Sequence, residues 1–467
     1  MKIEQIYTGC LAQGAYFISS DGEAAVIDPL RETKPYIERA QKESVKIKYI
    51  FETHFHADFV SGHIDLAEKS GATIVYGPSA ETGFKSYIAK DNEEFRVGKI
   101  TIRVLHTPGH TPESSTFLLF DENGKEYCIF SGDTLFIGDV GRPDLAVKSN
   151  LTQEDLAGML YDSLRNKIMP LPGDVIVYPA HGAGSACGKN LSKEIFDTLD
   201  NQKKNNYALQ NISKEDFIRE LTTGILPPPQ YFPKNAAMNK QGYAPFDVVV
   251  ERGNTALNPD EFEKLANENQ ALILDVRKSN EFASAHIPNA IFIGIDGQFA
   301  PWVGALITDL KQPILLVAPE GREEETVMRL SRVGYDNTLG YLKGGIDSWR
   351  NSGRSTDEIK SITANEFEHD FKSKKIHVLD VRKPGEYSAQ HLENVENKPL
   401  DYINEWTAST DRNATHYIHC AGGYRSMIAC SILKARGFQH LIDVQGGFSA
   451  IQKTGMPVTE FVCSSGK

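Results

Sequence analysis

The stretch that decides the fold reads Thr53-His54-Phe55-His56-Ala57-Asp58-Phe59-Val60-Ser61-Gly62-His63. It follows the apolar run Ile47-Lys48-Tyr49-Ile50-Phe51, which predicts a buried strand. Three imidazoles and one carboxylate fall within these eleven residues. Histidine is the commonest metal ligand in proteins, and a loop at the end of a strand can direct several side chains to one point. The stretch therefore predicts a metal site, with a polar surface loop that happens to be rich in histidine as the alternative.

The length and charge of the chain narrow its class. Its 467 residues are too many for one hydrophobic core and predict roughly three domains of about 150 residues each. The formal net charge is −12 at pH 7. A nucleic-acid-binding protein would show a basic stripe, so we predict no nucleic-acid partner. Local basic patches for small anionic substrates are compatible with this total charge.

The cysteines and the N-terminus indicate the cellular compartment of the protein. The six cysteines have no spacing typical of a disulfide scaffold, which favours free thiols in a reducing environment. The N-terminal residues are too polar for a signal peptide, and no apolar run approaches the length of a membrane span. We therefore predict a cytoplasmic protein with no membrane partner. The cysteines are Cys10, Cys128, Cys187, Cys420, Cys430 and Cys463.

Four predicted strands end in loops that carry histidine or aspartate. A lone histidine at a strand end is usually structural. Four such ends, each with a glycine or a proline, favour a shared site, because strand ends that converge on one rim can build a metal site from distant pieces. The four motifs are His54-x-His56-x-Asp58, Pro108-Gly109-His110-Thr111, Ser131-Gly132-Asp133 and Pro179-Ala180-His181.

In this order the four motifs resemble those of the metallo-β-lactamase superfamily. The resemblance covers about the first half of the chain and implies an αββα sandwich over residues 1–245. Phe59 is the informative departure, because the dinuclear hydrolases of the superfamily have a second histidine at this position and phenylalanine cannot ligate. The sequence is therefore more similar to the persulfide dioxygenase branch. Carried over motif by motif, that resemblance implies one Fe(II) per chain, held by His54, His110 and Asp133.

Two histidines and one carboxylate on one face form the facial triad of non-haem Fe(II) oxygenases, which leaves positions for substrate and O₂. The resemblance implies that the substrates are O₂ and a low-molecular-weight thiol persulfide, and that the products are sulfite and the parent thiol. We interpret His56, Asp58 and His181 as groups that orient the ligands and move protons. Direct ligation by these three residues is the alternative.

Two further residues near these motifs are candidates. The segment Gly138-Asp139-Val140-Gly141-Arg142-Pro143-Asp144 resembles the loop after the metal aspartate in the same branch. We predict that Arg142 fixes this loop or contacts the anionic substrate, and a surface ion pair is the alternative. Cys187 is predicted to be a small buried or half-buried residue, with a redox or substrate-contact role as the alternative.

The composition changes after a helix predicted over 191–205. The proline-rich run at 226–233 cannot form a helix or a central strand, and we predict a packed connection over 225–250. Beyond it, residues 272–277 are echoed by residues 377–382, an offset of 105 residues. A period this long indicates a duplicated domain. Each copy alternates short apolar strands with amphipathic helices, which predicts a small parallel α/β sheet.

Both copies resemble the rhodanese domain, with Asp-Val-Arg followed by glutamate, histidine and a late Gly-Gly pair. The predicted fold class is therefore α/β. We expect a metallo-β-lactamase-like domain at 1–245, an inactive rhodanese-like domain at 250–355 and an active rhodanese domain at 358–467.

The loop after the central strand distinguishes the two copies. In the second copy it reads His419-Cys420-Ala421-Gly422-Gly423-Tyr424-Arg425-Ser426, before a helix predicted over 427–436. The resemblance assigns a persulfide to Cys420 and closure of the loop to Arg425. Inward N–H groups and a helix N-terminus stabilise an anion, whereas a buried structural cysteine would leave the glycines unexplained. The residues that curl around the persulfide are Ala421, Gly422, Gly423 and Tyr424.

The first copy has no thiol at the same place, where it reads Val317-Ala318-Pro319-Glu320-Gly321-Arg322-Glu323. Its glutamates put negative charge where the active copy needs the opposite. We predict that this copy is an inactive spacer and interface domain, which makes a homo-oligomer the expected state. Cys430 is predicted to be a core residue. Cys463 is predicted to be exposed and incidental, or a weak redox partner.

Both predicted sites handle sulfane sulfur, and the order of the domains resembles the bacterial persulfide dioxygenase–rhodanese fusions of sulfide detoxification. The resemblance implies oxidation of a thiol persulfide to sulfite at the iron site and sulfur transfer through Cys420, which together yield thiosulfate. One alternative is a dinuclear zinc thioester hydrolase of the glyoxalase II type with a rhodanese tail. The other is a non-catalytic sulfur carrier. The sequence leaves the carrier thiol open among glutathione, coenzyme A, bacillithiol and others.

Overall fold

The structure, a computed structural model, describes residues 1–146, 151–189 and 191–462. It divides into two compact units. The first unit comprises Met1–Asp247 with Leu330–Gly334, and the second comprises Val248–Arg329 with Tyr335–Lys467. Each unit has its own sheets and core. No helix in the described ranges is long and apolar enough to span a membrane.

The first unit contains two six-stranded sheets. The first sheet consists of β1 (Lys2–Thr8), β2 (Gln13–Ser20), β3 (Glu23–Ile27), β4 (Lys46–Glu52), β5 (Thr73–Tyr76) and β6 (Tyr87–Ile88). The second consists of β7 (Glu94–Val97), β8 (Ile100–His106), β9 (Ser115–Phe120), β10 (Glu126–Gly132), β11 (Ile176–Pro179) and β12 (Asp197–Thr198). The first sheet keeps sequence order and is parallel from β3 to β6. The second has the order β12-β11-β10-β9-β8-β7, with β10 and β11 parallel.

Helices flank the two sheets. They are α1 (Lys34–Glu43), α2 (His63–Ser70), α3 (Gln153–Ser163), α4 (Leu199–Asn205), α5 (Lys214–Thr222) and α6 (Phe232–Gln241). The next helix, α7 (Phe246–Gly253), crosses the boundary after Asp247 and belongs mostly to the second unit. The helix predicted over 191–205 begins only at Leu199. The preceding residues Asp197–Thr198 pair with β11, and the Thr198 side chain caps the helix by accepting a hydrogen bond from the Asn201 amide.

Alternation along the strands places the layers. Successive side chains of a strand point to opposite faces. In β2, Tyr16 therefore lies in the core between the two sheets, whereas Phe17 lies in the core with α1 and α2. A third core joins the second sheet to α3 and α5 through residues such as Leu160 and Phe217. The layers are helix, sheet, sheet and helix, and the predicted αββα sandwich is confirmed.

The second unit contains two five-stranded sheets. The first copy consists of β13 (Ala256–Leu257), α8 (Pro259–Glu268), β14 (Leu272–Asp275), α9 (Ser279–Ser284), β15 (Ile291–Phe292), α10 (Phe299–Leu306), β16 (Ile314–Val317), α11 (Glu323–Ser331), β17 (Thr338–Leu342) and α12 (Gly345–Asn351). The second copy consists of β18 (Lys360–Ile362), α13 (Ala364–Ser373), β19 (His377–Asp380), α14 (Pro384–Ala389), β20 (Glu396–Asn397), α15 (Ile403–Trp406), β21 (His416–His419), α16 (Tyr424–Ala435), β22 (Leu441–Val444) and α17 (Gly447–Ile451).

The two copies share one topology. Their strand orders are β13-β17-β16-β14-β15 and β18-β22-β21-β19-β20, and the paired strands are parallel. The predicted pair of small parallel α/β sheets is confirmed. In open parallel sheets ligands bind beyond the carboxyl ends of the strands. The loops that follow β16 and β21 are therefore the candidate binding loops of the two copies.

The predicted connection over 225–250 is more regular than expected. Its proline-rich part was predicted to exclude a helix, yet α6 begins at Phe232 and Pro233 occupies its first turn. Proline is tolerated there because the first amides of a helix have no partner within the helix. The exact domain boundaries at 245, 250, 355 and 358 stay predictions.

Candidate functional site

The four predicted motifs lie at the carboxyl ends of four strands. β4 leads to His54, β8 to His110, β10 to Asp133 and β11 to His181. β4 belongs to the first sheet and the other three strands belong to the second. The structure therefore brings residues from both sheets of the first unit to one place.

His54, His110 and Asp133 form one buried group. One ligand atom from each lies within 4.8 Å of the others. Asp133 Oδ2 is 3.4 Å from His110 Nε2 and 4.0 Å from His54 Nε2. Bonds from a metal ion to histidine nitrogen or carboxylate oxygen are about 2.0–2.2 Å long, so these separations suit a shared ion.

A hydrogen-bonded chain fixes the ring of His54. The Asp28 carboxylate accepts hydrogen bonds from the Thr53 amide at 2.8 Å and from the Thr53 hydroxyl at 2.9 Å. Thr53 Oγ1 lies 3.0 Å from His54 Nδ1. Because the hydroxyl hydrogen is donated to Asp28, the His54 Nδ1–H is the donor to Thr53 Oγ1. The lone pair of His54 Nε2 is then available to a metal.

The backbone of Arg142 fixes the ring of His110. His110 Nδ1–H donates to the Arg142 carbonyl at 2.8 Å, which leaves Nε2 facing Asp133. The Arg142 guanidinium donates to both Asp144 oxygens, at 2.6 and 2.7 Å, and to two backbone carbonyls. Of its two predicted roles, these contacts favour ordering of the loop over contact with a substrate. Arg142 is buried, which argues against a surface ion pair.

Gly141 allows this loop to approach the ligands. A Cβ on Gly141 would lie 2.1 Å from the Asp133 carbonyl oxygen and 2.9 Å from His110 Nδ1. The Gly141 amide donates to the same Asp133 carbonyl at 3.0 Å. Any larger residue would displace the loop that orients His110.

The group contains buried polar atoms without partners. Among the described residues, both Asp133 carboxylate oxygens, Asp58 Oδ1 and His181 Nε2 have no hydrogen-bond partner. Burial and the neighbouring imidazoles lower the pKa of His54 well below its usual value, so this ring is neutral at pH 7. A buried carboxylate with no partner is costly unless a cation compensates it. These residues therefore fit a divalent metal ion.

His56, Asp58 and His181 form a second group within 4.8 Å. His181 Nε2 is 3.5 Å from Asp58 Oδ2 and 3.6 Å from Asp133 Oδ1. His56 Nε2 is 3.1 Å from Asp28 Oδ1. Burial opposes protonation of His56, but Asp28 and other nearby carboxylates raise its pKa to about 9. The contacts of His56 therefore favour an ion pair with Asp28.

Phe59 lies against this second group. It is fully buried, and its ring centroid is 4.4 Å from that of His56. It offers no ligand atom. Phe59 therefore adds no donor to the second group, which, like the first, has three residues that can ligate.

Replacing Phe59 by histidine is expected to strengthen the second metal position, because the new imidazole would lie beside His56 in the second group. After zinc loading, Phe59→His should hold about two ions per chain where the wild type holds about one, measured by elemental analysis after gel filtration. Phe59→Leu is the matched control, since it changes the ring without adding a ligand. Equal zinc content in the two variants would contradict this prediction.

Cys187 lies beside the metal group. Its thiol and ligand atoms of Asp133 and His181 are within 4.8 Å of one another. Burial and the carboxylates of Asp58 and Asp133 raise the pKa of the Cys187 thiol well above its usual value. The predicted burial is confirmed, with 1% of the residue exposed.

In the second unit, Cys420 follows the central strand β21. The residue is 1% exposed, and the Gly423 amide donates a hydrogen bond to Sγ at 3.1 Å. Gly423 has a φ of 100°, in the left-handed region that favours glycine. Helix α16 begins at the next residue, Tyr424, three residues earlier than predicted. The sulfur therefore faces a backbone amide at a helix N-terminus, an arrangement that stabilises an anion.

The late Gly-Gly pair packs against this loop. The amides of Phe448 and Ser449 donate to the carbonyls of Cys420 and Ala421, at 2.6 and 3.0 Å. A Cβ on Gly447 would lie 2.3 Å from the Cys420 carbonyl oxygen. Position 447 therefore requires glycine for the turn to pack against the loop.

Arg425 closes the loop through Glu386. Its guanidinium donates to both carboxylate oxygens, at 2.6 and 2.8 Å. Burial opposes ionisation of Glu386, but Arg425 and the Lys383 amide lower its pKa on balance. The pair joins the loop to the start of α14 and compensates the charge of Arg425.

A comparison of the two copies separates residues that maintain the fold from residues that occur only in the second copy. Arg277 pairs with Asp275, and Arg382 pairs with Asp380, with a closest approach of 2.6 Å in each pair. Because the copy without a thiol keeps this pair, we assign the pair to the fold. At the loop itself the first copy has Ala318, and its Arg322 pairs with acidic neighbours.

Asp443 is a buried carboxyl of the second copy that no sequence pattern indicated. It is 4% exposed, and Ser361 donates to its Oδ2 at 3.2 Å. Its Oδ1 has no hydrogen-bond partner among the described residues. Burial raises the pKa of Asp443 to about 6.

Asp443→Asn is expected to raise the free energy of unfolding of the second unit at pH 8 by about 2 kcal/mol. Because the folded-state pKa lies above the ordinary value of 3.8, the proton stabilises the fold below about pH 4, and this stabilisation is lost as the pH rises through 6. The gain should therefore shrink as the pH falls from 8 towards 5. Urea unfolding followed by tryptophan fluorescence measures this unit, since all three tryptophans lie in it. A gain independent of pH would contradict the assignment.

The described cysteines are free thiols. Cys430 is fully buried on α16, as predicted. Cys463 lies outside the described residues, so its predicted exposure stays a prediction.

Sequence reasoning missed several residues of these sites. Asp28 follows β3 directly, and treating it as a fifth strand-end carboxylate would have found it. Glu386 was recognised only as a repeated residue, and the arginine that pairs with it is absent from the equivalent place in the first copy. No signal in the sequence pointed to Glu52, whose Oε2 lies 3.6 Å from His56 Nε2.

Family comparison assigns both halves of the chain. The family described as the metallo-beta-lactamase superfamily matches residues 8–181. The family described as the rhodanese-like domain matches residues 258–352 and 363–454.

The similar proteins are named for two different enzyme activities. A probable hydroxyacylglutathione hydrolase of Schizosaccharomyces pombe is 30% identical over 176 residues, 37% of this chain and 64% of the relative. The mitochondrial persulfide dioxygenase of Homo sapiens is 32% identical over 214 residues, 44% of this chain and 74% of the relative. The chain thus spans less than two thirds of the hydrolase. A crystal structure of a metallo-beta-lactamase from Staphylococcus aureus subsp. aureus COL is 32% identical and covers 73% of this chain and 98% of that one, with a TM-score of 0.64.

Proposed function

Because the chain belongs to the metallo-β-lactamase superfamily in its first half and carries two rhodanese-like domains in its second, we propose that it is a persulfide dioxygenase with sulfurtransferase activity. In this proposal the first unit oxidises a low-molecular-weight thiol persulfide with O₂ to sulfite. Cys420 then transfers sulfane sulfur, so that the two activities together yield thiosulfate.

The buried group of His54, His110 and Asp133 carries the proposal. It offers two imidazole nitrogens and a carboxylate without other partners, the donor set of the facial triad. Held by these residues, one Fe(II) ion would supply adjacent positions at which a soft persulfide sulfur and O₂ can react. Phe59 supports one metal ion over two, since it adds no ligand to the second group.

The other residues of the first unit have roles that follow from their contacts. Thr53 and the Arg142 carbonyl hold the two ligand rings in the tautomer that frees Nε2. The overall reaction converts a persulfide, O₂ and water into a thiol, sulfite and two protons, so protons must leave the site. His181 and Asp58, 3.5 Å apart and beside Asp133, are the groups we assign to accept them.

Sulfur transfer at Cys420 needs no redox cofactor. The Cys420 thiolate attacks the outer sulfur of a donor persulfide, the donor S–S bond breaks, and the donor leaves as a thiol after it takes up the proton. Sulfite then attacks the outer sulfur held on Cys420, which releases thiosulfate and restores the thiolate. The Gly423 amide, 3.1 Å from Sγ, stabilises the negative charge of the thiolate that attacks and is later restored.

A dinuclear zinc thioester hydrolase is the second candidate. It is favoured by the hydroxyacylglutathione hydrolase relative and by the second group of His56, Asp58 and His181. The ion pair of His56 with Asp28 and the side chain of Phe59 count against it. In a third possibility the chain would only carry sulfur on Cys420, and the first unit would have no catalytic role.

Reconstitution tests the proposal. The full chain, loaded anaerobically with Fe(II), should consume O₂ with a thiol persulfide and form sulfite or thiosulfate, and the zinc-loaded chain should not. A panel of glutathione, coenzyme A and bacillithiol persulfides would identify the carrier thiol. Two zinc ions per chain together with thioester hydrolysis and no O₂ uptake would overturn the dioxygenase in favour of the hydrolase. Absence of both activities with sulfur still transferred through Cys420 would favour the carrier.

The proposal also includes the cellular location and the partners of the protein. The free thiols of the described cysteines support a reducing, cytoplasmic location. A homo-oligomer with the first rhodanese-like copy at an interface is part of the same proposal. Neither nucleic acid nor membrane has a role in it.

A further inference from the structure

The thiol of Cys420 opens onto a cavity of about 380 Å³. Six of the residues that line it belong to the second rhodanese-like copy, among them Lys383, Glu386 and Arg425. The other two, Gln298 and Trp302, belong to the first copy, the one without a thiol. The copy predicted to be an inactive spacer and interface domain therefore forms part of the wall of the sulfur-transfer cavity.

This part of the wall is held firmly against the active loop. The Tyr424 hydroxyl, on the residue that begins α16, donates to the Gly294 carbonyl at 2.7 Å. The Phe292 amide donates to Ser431 Oγ on the same helix at 2.9 Å. A Cβ on Gly297 would lie 2.3 Å from the Tyr424 ring, so only glycine allows this packing. The segment that leads into Gln298 and Trp302 is thus fixed to the helix that presents Cys420.

The size of the cavity exceeds what inorganic substrates need. Sulfite has four heavy atoms and fills roughly 120 Å³ at about 30 Å³ for each water-sized group. Small-molecule sites span about 300–1,000 Å³, and this cavity falls within that range. A site for sulfite and thiosulfate alone would not require the added wall.

The chemistry of the lining indicates what fills the remaining space. Lys383, Glu386 and Arg425 contribute two positive charges and one negative charge, a net charge of +1 that the Cys420 thiolate offsets when it forms. The Glu386–Arg425 pair is internally compensated, so Lys383 provides the excess charge. Trp302 adds an apolar aromatic surface, and Gln298 adds an amide that can donate and accept hydrogen bonds. This combination suits an organic molecule with an amide and an anionic end.

We propose that Trp302 and Gln298 of the first copy make the Cys420 cavity specific for an organic thiol persulfide that carries a carboxylate, in preference to an inorganic sulfur donor. The inference rests on the proposed sulfur transfer at Cys420 and names the substrate class of that site. In the transfer, the Cys420 thiolate bonds to the outer sulfur of the donor, and the donor thiolate leaves along the Trp302 wall and takes up the proton. No oxidant or reductant is required.

The specificity test compares two donors on the full chain, with cyanide as the acceptor. Trp302→Ala is expected to lower kcat/KM for glutathione persulfide, relative to kcat/KM for thiosulfate, by about tenfold, mainly through KM. Trp302→Phe should restore most of the ratio because it keeps an aromatic face. Gln298→Ala, at an exposed position where folding is not at risk, should change the ratio in the same direction. An unchanged ratio in both alanine variants, or an equal loss for both donors, would overturn the proposal.

A binding measurement tests the same proposal without catalytic turnover. S-methylglutathione, which has no persulfide to transfer, should quench the tryptophan fluorescence of the wild type, and sulfite should not. Trp302→Phe should lose this quenching, and the control Trp349→Phe should keep it, because Trp349 packs on Phe262 in the core of the first copy. Quenching that persists in Trp302→Phe would count against the proposal. If wild-type and Cys420→Ser chains transferred sulfur equally, the proposed function itself would fail, whatever the fluorescence.

Discussion

Exchanging Asp133 for asparagine is expected to remove the metal ion and the O₂-dependent activity together. Both Asp133 oxygens are buried without partners, so the carboxylate charge is the main attraction for a cation at this point. Asparagine keeps the shape and loses the charge. Iron content after anaerobic loading should fall below about a tenth of an ion per chain. O₂ uptake with persulfide should fall by roughly a thousandfold, the scale of several kcal/mol that a metal ion contributes to a transition state.

The same variant contains its own control. Cys420 lies in the other unit, so sulfur transfer from thiosulfate to cyanide should continue in Asp133→Asn. Loss of both activities would indicate unfolding of the whole chain. Folding of the first unit is checked by far-UV circular dichroism, because all three tryptophans lie in the second unit. Normal iron content with normal O₂ uptake would show that Asp133 is not a ligand.

Exchanging Cys420 for serine is expected to change the product without stopping the oxidation. A hydroxyl is a far weaker nucleophile than a thiolate, so sulfur transfer should fall by at least about a thousandfold. O₂ consumption with a thiol persulfide should continue, because the proposed ligands His54, His110 and Asp133 are untouched. Sulfite should accumulate at early times in place of thiosulfate, which ion chromatography can follow.

Cys430→Ala is the matched control for this exchange. Cys430 lies on α16, six residues beyond its first residue Tyr424, and is fully buried, so its loss tests packing alone. Thiosulfate should remain the product in Cys430→Ala. Unchanged thiosulfate output from Cys420→Ser would break the proposed coupling of the two activities.

Much of the metal group could be predicted because its residues occupy strand ends. A strand is visible in sequence as a short apolar run, and a parallel or mixed sheet gathers the loops at the ends of its strands. This pattern brought the four motifs together, and the resemblance to the persulfide dioxygenase branch singled out His54, His110 and Asp133 among them, although 79 residues separate the first from the last. The repeat of Asp-Val-Arg revealed the duplicated domain for a similar reason, since one copy shows what the other should contain.

Residues whose role depends on a partner far away in the sequence could not be predicted. Glu386 gains its role from Arg425, which lies 39 residues further along the chain. The burial of Asp443 depends on how α16 and β18 cover it. Trp302 was expected in a spacer domain, and only tertiary packing brings it to the cavity over Cys420. Helix ends were also displaced, as at Leu199, because strand pairing with β11 competes with helix formation before that point.

The origin of the metal ligands in both sheets has a consequence for the lifetime of the protein in a cell. His54 follows a strand of one sheet, and His110 and Asp133 follow strands of the other, so a bound ion acts as a cross-link between them. Ligand binding to the native state alone stabilises that state by mass action. Newly made chains in a cell starved of the bound metal would open more often in the first unit and would be cleared sooner by proteases. With the proposed Fe(II) as that metal, iron supply would set the abundance of the protein as well as its activity.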